Sequence, residues 1–291
     1  AAPDLYFSEF TNATGWAHAG GKAIGMRLVK TDDEKPIVAQ LWGAVPEDMA
    51  KLVAHCKELG FDGVDINMGC PDASAVKAGG GAGMILSPEN AANMIAAAKT
   101  SGLPISVKTR LGYSQVDEWR AWLTHILQQD IENLTIHLRT KKEMSKVEAH
   151  FELIDAIKKL RDEIAPQTLL TINGDIRDRE HGLQLVKTHG IDGIMIGRGI
   201  FTNPFAFEHE SRLHNREELL DLLTLQLDLH DLWNTPEQPR KYDPLKRFFK
   251  IYVRDFEGAA ELRDKLMHTK STDEVRAVLE GRARPSEAIS K

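Results

Sequence analysis

The sequence is short of cysteine, of net positive charge and of long apolar runs. Only Cys56 and Cys70 occur in 291 residues, too few for a disulfide scaffold and suited to a reducing compartment. With 37 Lys+Arg against 43 Asp+Glu the formal net charge is -6. That excludes a strongly basic, non-specific nucleic-acid binder and leaves room for a local basic patch. No apolar run approaches the roughly 18 residues of a membrane span. The opening residues, AAPDLYFSEF, offer no basic segment followed by an apolar one, so no secretory signal is expected and a cytoplasmic location is. Internal repeats and low-complexity tails are absent too, and no metal is expected.

What remains is ordinary globular material, 42% hydrophobic and 27% charged, long enough for one large barrel with a small appendage or for two domains. Short apolar runs at residues 5–10, 36–43, 63–70, 104–112, 134–140, 169–176 and 193–200 read as strands. They are near-continuous in Val, Ile, Leu and Phe, as expected of strands buried on both faces. Helical patterns lie between them. In residues 46–60, Met49, Leu52, Val53, Cys56 and Leu59 share one face and Gly60 supplies a stop. Similar patterns cover 88–100, 148–164 and 180–189. Alternating strands and helices imply a parallel sheet. Polar residues stand near the C-terminal ends of the strands: Gln40, Asn67, Lys108, His137, Asn173 and Arg198. Barrel enzymes build their sites there. The expectation is α/β, a (β/α)8 TIM barrel over residues 1–204 whose first strand is absent, since seven strands are found and the chain opens on one. An open doubly wound sheet is the alternative. From residue 205 to 291 strand-like runs give way to charged helical stretches at 216–232, 244–257, 259–269 and 272–280, read as a small all-helical domain.

The most specific segment is DINMGCPDASAVKAGGGAG, residues 65–83. It ends a strand, places Cys70 before Pro71 and continues into Gly79, Gly80, Gly81 and Gly83, which allow a ligand to approach the backbone. Cys56, on an apolar helix face, reads as structural. Lys108 lies in an apolar strand, and an ammonium pointing into a barrel mouth requires an anion. Arg110 shares its face and could meet substrate or phosphate. Asn173-Gly174-Asp175 and Gly197-Arg198 end the last two strands, where barrels commonly hold a phosphate. Lys246, Arg247, Lys250 and Arg254 fall at i, i+1, i+4 and i+8 and read as a basic stripe for a polyanion.

NMGCP, GGGAG, VKTRLG, IHLRT, INGDI and IGRG occur in the order found in tRNA-dihydrouridine synthases, and the chain resembles that family from about residue 5 onward. The resemblance implies an FMN-binding TIM barrel followed by a helical tRNA-binding domain. It implies NADPH as reductant, hydride transfer from FMN to C6 of a uracil in tRNA, and a cysteine, Cys70, as proton donor to C5. An ordinary thiol, with a pKa of about 8.5, is already protonated near neutrality. By the same resemblance Gln40, Lys108 and His137 contact the flavin ring and the Asn173–Asp175 and Gly197-Arg198 loops hold its phosphate. Asn67, Arg110 and Arg139 lie near flavin or substrate, and Lys246, Arg247, Lys250 and Arg254 meet tRNA. A monomer is expected. The chain departs from the family in lacking the opening strand with its Pro-Met loop, in Ala73 where lysine is frequent, and in Leu138 where glycine is usual. Other readings are a Schiff-base lyase using Lys108, a free-pyrimidine flavin barrel similar to dihydroorotate dehydrogenases, and a non-catalytic RNA-binding module.

Overall fold

The structure, a computed structural model, describes residues 3–19, 25–236 and 239–281. Its contacts divide the chain into two compact units, Ala1–Gly199 with Phe207–His209, and Ile200–Ala206 with Glu210–Lys291. The division falls a few residues before the boundary expected at 204, and a three-residue segment returns to the first unit.

The first unit carries β1 (Tyr6–Phe7), β2 (Thr11–Asn12), α1 (Ala13–His18), β3 (Ile37–Trp42), α2 (Pro46–Glu58), β4 (Gly63–Asn67), α3 (Ala73–Lys77) and α4 (Pro88–Lys99). It continues through β5 (Ile105–Arg110), α5 (Trp119–Leu127), β6 (Asn133–His137), α6 (Ile154–Ile164), β7 (Leu169–Asn173), α7 (Arg179–His189) and β8 (Gly193–Met195). All strand pairs are parallel, in the order β1-β3-β4-β5-β6-β7-β8, with β2 also on β3. The strand expected at 5–10 is therefore two short pieces. Between them the Ser8 N–H still donates to the Val38 carbonyl at 3.0 Å, but the Gln40 N–H turns to Ser8 Oγ, also at 3.0 Å, and the regular ladder stops there.

Strand order follows chain order without reversal, and α1, α2, α4, α5, α6 and α7 pack each on the next. A doubly wound sheet reverses at a switch point and puts helices on both faces. The sheet here is wound in one direction with its helices on one side, so that alternative falls. Two contacts identify the helix side: the Trp122 indole of α5 donates to Thr109 Oγ1 at 2.9 Å, and Gly182 of α7 lies against Ile194. Strand register extends that face to Ala39, Leu41, Val64, Ile66, Val107, Leu134, Ile136, Leu170 and Ile172, which form the core.

The opposite face is polar. Gln40, Asp65, Asn67, Ser106, Lys108, Arg110, Thr135, His137, Thr171 and Asn173 occupy it. This corrects the reading of the strands as apolar on both faces: they alternate, and the second face is buried but hydrophilic. Lys108 of β5 reaches over β6 to donate to Asn173 Oδ1 of β7 at 3.2 Å, as a concave face allows. The curled sheet surrounded by helices is that of a half-barrel.

In the second unit α8 (Arg216–Leu232) begins at Asn215, whose side chain accepts the Glu218 N–H while Glu218 returns to the Asn215 N–H. Its Leu223 and Leu227 pack with Phe249 of α9 (Phe249–Tyr252), Leu266 of α10 (Ala259–Met267) and Val275 of α11 (Thr272–Leu279). Among the described residues this unit has no membrane-length apolar helix, nor has the first.

Candidate active site

The polar face is organised as a chain of hydrogen bonds. Asp65 is 0% exposed, and its two oxygens accept from Ser106 Oγ at 2.7 Å and from Gln40 Nε2 at 2.8 Å. Gln40 Oε1 accepts from Asn67 Nδ2 at 3.1 Å, and Asn67 Oδ1 accepts the N–H groups of Gly69 and Cys70 at 3.1 and 2.9 Å. The ends of the chain settle both amide orientations. Backbone N–H groups only donate, so Asn67 presents its NH2 to Gln40, and Gln40 presents its own to Asp65. Burial raises the Asp65 pKa above the usual carboxylate range, against the pull of Ser106, Gln40 and Lys108.

Cys70 follows this chain, half-buried on the loop after β4. The Cys70 carbonyl accepts the Ala82 N–H at 2.9 Å, so the glycine segment folds back over it. Gly81 has φ +53°, and a Cβ there would lie 2.7 Å from the Cys70 carbonyl oxygen. Ala73 is an exposed first residue of α3, capped by Asp72. Cys56 is fully buried in α2 and its thiol is pushed up to about 12 by desolvation, as befits a structural cysteine.

Lys108 stands on the same face. Desolvation lowers its pKa to about 8, partly offset by the attraction of Asp65. His137 is held down to about 2, first by desolvation and then by Arg110, Lys108, Arg139 and Arg198. Its Nε2 lies 3.0 Å from Arg139 Nη1. A guanidinium has no acceptor, so Nε2 accepts and the ring proton is on Nδ1.

Arg110 and Arg139 are committed to the protein. Arg110 is 5% exposed and donates to the carbonyls of Gly69 (2.7 Å), Thr140 (3.1 Å) and Met144 (3.0 Å). Arg139 is 2% exposed, donates to the Val147 carbonyl at 2.7 Å and pairs with Asp175. Asp175 also accepts the Ala149 N–H at 3.1 Å, so its carboxylate orients the loop. Gly174 has φ +115° and sits against His137. Arg198 is largely exposed, 3.8 Å from Asp175 Oδ1, and Asn173 Nδ2 donates to the Met195 carbonyl at 2.8 Å. Gly197 adjoins Asn173. Leu138, where glycine was usual, is buried in the core.

The sequence reading thus located Gln40, Asn67, Cys70, Lys108, His137, Asn173, Gly174, Asp175, Gly197 and Arg198 at one edge of one sheet. It passed over Asp65 and Ser106, which organise the base of that face. The available signal was the polar alternation in VDIN and ISVKTR. It also passed over Trp42, on the Gln40 face, whose buried Nε1 finds no acceptor among the described residues. A polar concave face with a cation, an oriented amide and an unpartnered indole N–H fits the mixed donor and acceptor edge of a flavin ring.

The four basic residues of the second unit do not share one α-helical face. Asp243–Phe248 is a 3-10 helix, and only Phe249–Tyr252 is α-helical. Lys246 pairs with Asp243 at 3.2 Å and lies over the Tyr242 ring. Arg247 lies over Phe248, and Arg254 pairs with Asp255 and donates to the Thr202 carbonyl at 2.7 Å. Lys250 is exposed on α9.

The family model for dihydrouridine synthase (Dus) matches residues 1–289. A Bacillus subtilis (strain 168) protein named "Probable tRNA-dihydrouridine synthase 2" is 62% identical over 279 residues, covering 96% of this chain and 86% of that one. Proteins named "Probable tRNA-dihydrouridine synthase" from Staphylococcus epidermidis and Staphylococcus aureus (strain COL) are 57% and 56% identical over 96% of this chain, and cover 86% and 85% of their own length. The chain belongs to the dihydrouridine synthase family.

Proposed function

We propose that this protein reduces the C5=C6 bond of specific uridines in tRNA, with FMN as the bound flavin and NADPH as its reductant. The observation that carries the reading is the polar concave face of Gln40, Asn67, Lys108 and His137, tied through the Asn67 side chain to the loop that bears the half-buried Cys70. The first unit is then the catalytic TIM-barrel domain, and the helical unit contributes tRNA contacts through Lys246, Arg247, Lys250 and Arg254. A monomer acting in the cytoplasm fits this assignment.

When bound, reduced flavin supplies the hydride that goes to C6 of the uracil. The protein's own groups do the rest. Cys70 Sγ–H gives its proton to C5, and the thiolate left behind lies in the field of Lys108 and Arg110. Lys108, as an ammonium, favours a negatively charged ring edge. Gln40, its amide oriented by Asp65 and Asn67, keeps a second N–H and a second lone pair for the ring. Asn173, Gly174, Asp175, Gly197 and Arg198 shape a phosphate site, Arg198 by charge and the others by loop geometry. The target base must leave its stack to reach this depth.

Mass mapping of dihydrouridine in tRNA from cells with and without the protein tests the reading. Loss at one or more positions is expected, and identical maps reject it. Cys70→Ala should retain flavin and lose dihydrouridine formation, because it removes the proton and not the cofactor site. Normal turnover by that variant would refute the role of the thiol.

A further inference from the structure

The segment joining β6 to the 3-10 turn at Phe151–Leu153 is long, yet it is held at many points. Arg110 Nη1 binds the Thr140 and Met144 carbonyls, Arg139 Nε binds the Val147 carbonyl, and Asp175 accepts the Ala149 N–H. Glu143 turns back on the loop, accepting the Thr140 N–H at 2.7 Å and meeting His150 Nε2 at 3.0 Å. Two of these anchors are buried guanidiniums, and the cost of burying them is offset by the hydrogen bonds they make, several of them to this loop. The same loop is laced to the one after β5: Lys141 and Lys142 N–H groups donate to the Gly112 and Tyr113 carbonyls, both at 2.9 Å. Lys141 Nζ lies 4.9 Å from the centroid of the Tyr113 ring. Lys142 and Lys146 are exposed, and among the described residues neither pairs with a carboxylate. Glu148 is the loop's exposed acid, on the stretch that returns to the sheet.

We propose that Tyr113, Lys141, Lys142 and Lys146 form a surface that receives the RNA backbone beside the uridine presented to Cys70, with Arg110 as the positioning residue that keeps surface and thiol in register. The proposal rests on the tRNA reading above. Arg110 carries the connection: its Nε binds the carbonyl of Gly69, the residue before Cys70, while its Nη1 binds the lysine loop. Exposed ammonium groups on a rigid loop suit phosphodiester oxygens, and a cation paired with an aromatic ring suits an unstacked nucleotide.

The test uses the flavin-loaded full chain. For Lys142→Glu/Lys146→Glu, tRNA affinity measured by anisotropy at two salt concentrations should fall about tenfold or more. The slope of log K against log salt should decrease by about 1–2, as expected for two lost phosphate contacts. Flavin content should be unchanged. The control Lys159→Glu/Lys187→Glu, on α6 and α7, should leave affinity within about twofold. Unchanged affinity and slope in the loop variant overturn the surface, as does an equal loss in the control. If the wild type forms dihydrouridine while the loop variant binds normally, the surface is wrong and the function stands. If the wild type neither binds nor modifies tRNA, both are wrong. Arg110→Lys keeps a charge but cannot span three carbonyls, so tryptic cleavage after Lys142 and Lys146 should accelerate as turnover falls. Lost turnover with unchanged cleavage would make Arg110 a substrate contact and overturn its positioning role.

Discussion

His137 shows how little a residue type says without its neighbours. Desolvation, reinforced by Arg110, Lys108, Arg139 and Arg198, lowers its pKa to about 2 and favours the neutral imidazole. His150 goes the other way: desolvation lowers its pKa, but Glu143 and Glu152 outweigh that and raise it above the ordinary value. An NMR titration should show no His137 transition between about pH 5 and 8, and a His150 midpoint above about 6.5. The sign for His150 follows: its bridge to Glu143 contributes to stability below the unfolded pKa and is lost as pH rises through the folded one. Lys108 has the opposite sense, being a base with a lowered pKa of about 8. Below that it is an ammonium, and as pH rises through it the cation is lost. The affinity for reduced flavin should therefore weaken on raising pH past about 8, and Lys108→Met should remove the dependence. A bound anion would move the midpoint upward, so a midpoint below 8 in the holoprotein would refute this. Lys108, Gln40 and Cys70 were legible because each is a chemically costly residue at a strand end or in a glycine loop. Asp65 was not, because its partners Gln40 and Ser106 lie on neighbouring strands and only register brings them together.

Among the elements, legibility depended on whether one period ran unbroken. Helices α2 and α4 begin at Pro46 and Pro88, where the sequence placed their starts. The stretch from 244 to 257 was read as one α-helix, but Asp243–Phe248 is tighter, Asp255 has φ +60° and Gly258 φ +78°. In a 3-10 turn residues three apart eclipse, so a stripe projected at 3.6 residues per turn does not form. Close packing between elements gives two checks. A Cβ on Gly182 would meet Ile194 Cγ1 at 2.5 Å, so Gly182→Ala should lower stability by roughly 1–3 kcal/mol, read as a shift of the thermal midpoint. Gly81→Ala would strain a positive φ and push against the Cys70 carbonyl. It should reduce dihydrouridine formation at least tenfold while the flavin stays bound, and wild-type turnover would show that the glycine loop does not position the thiol.

For the whole molecule, the formal charge of -6 coexists with cations gathered at one edge of the sheet, so the total does not describe the local field. Charge reversal at Lys246 and Arg247 should weaken tRNA binding and reduce its salt slope; binding unchanged at two salt concentrations would exclude those residues. The division of the sheet into an apolar helix side and a hydrophilic concave side has a further consequence. Only one face contributes apolar burial, so the polar face adds little to the folding free energy by itself. A cofactor seated on it would act as a folding partner by mass action, adding about 2.7 kcal/mol at a hundredfold excess over its dissociation constant. The lifetime of this protein in a cell would then rise and fall with the supply of its flavin.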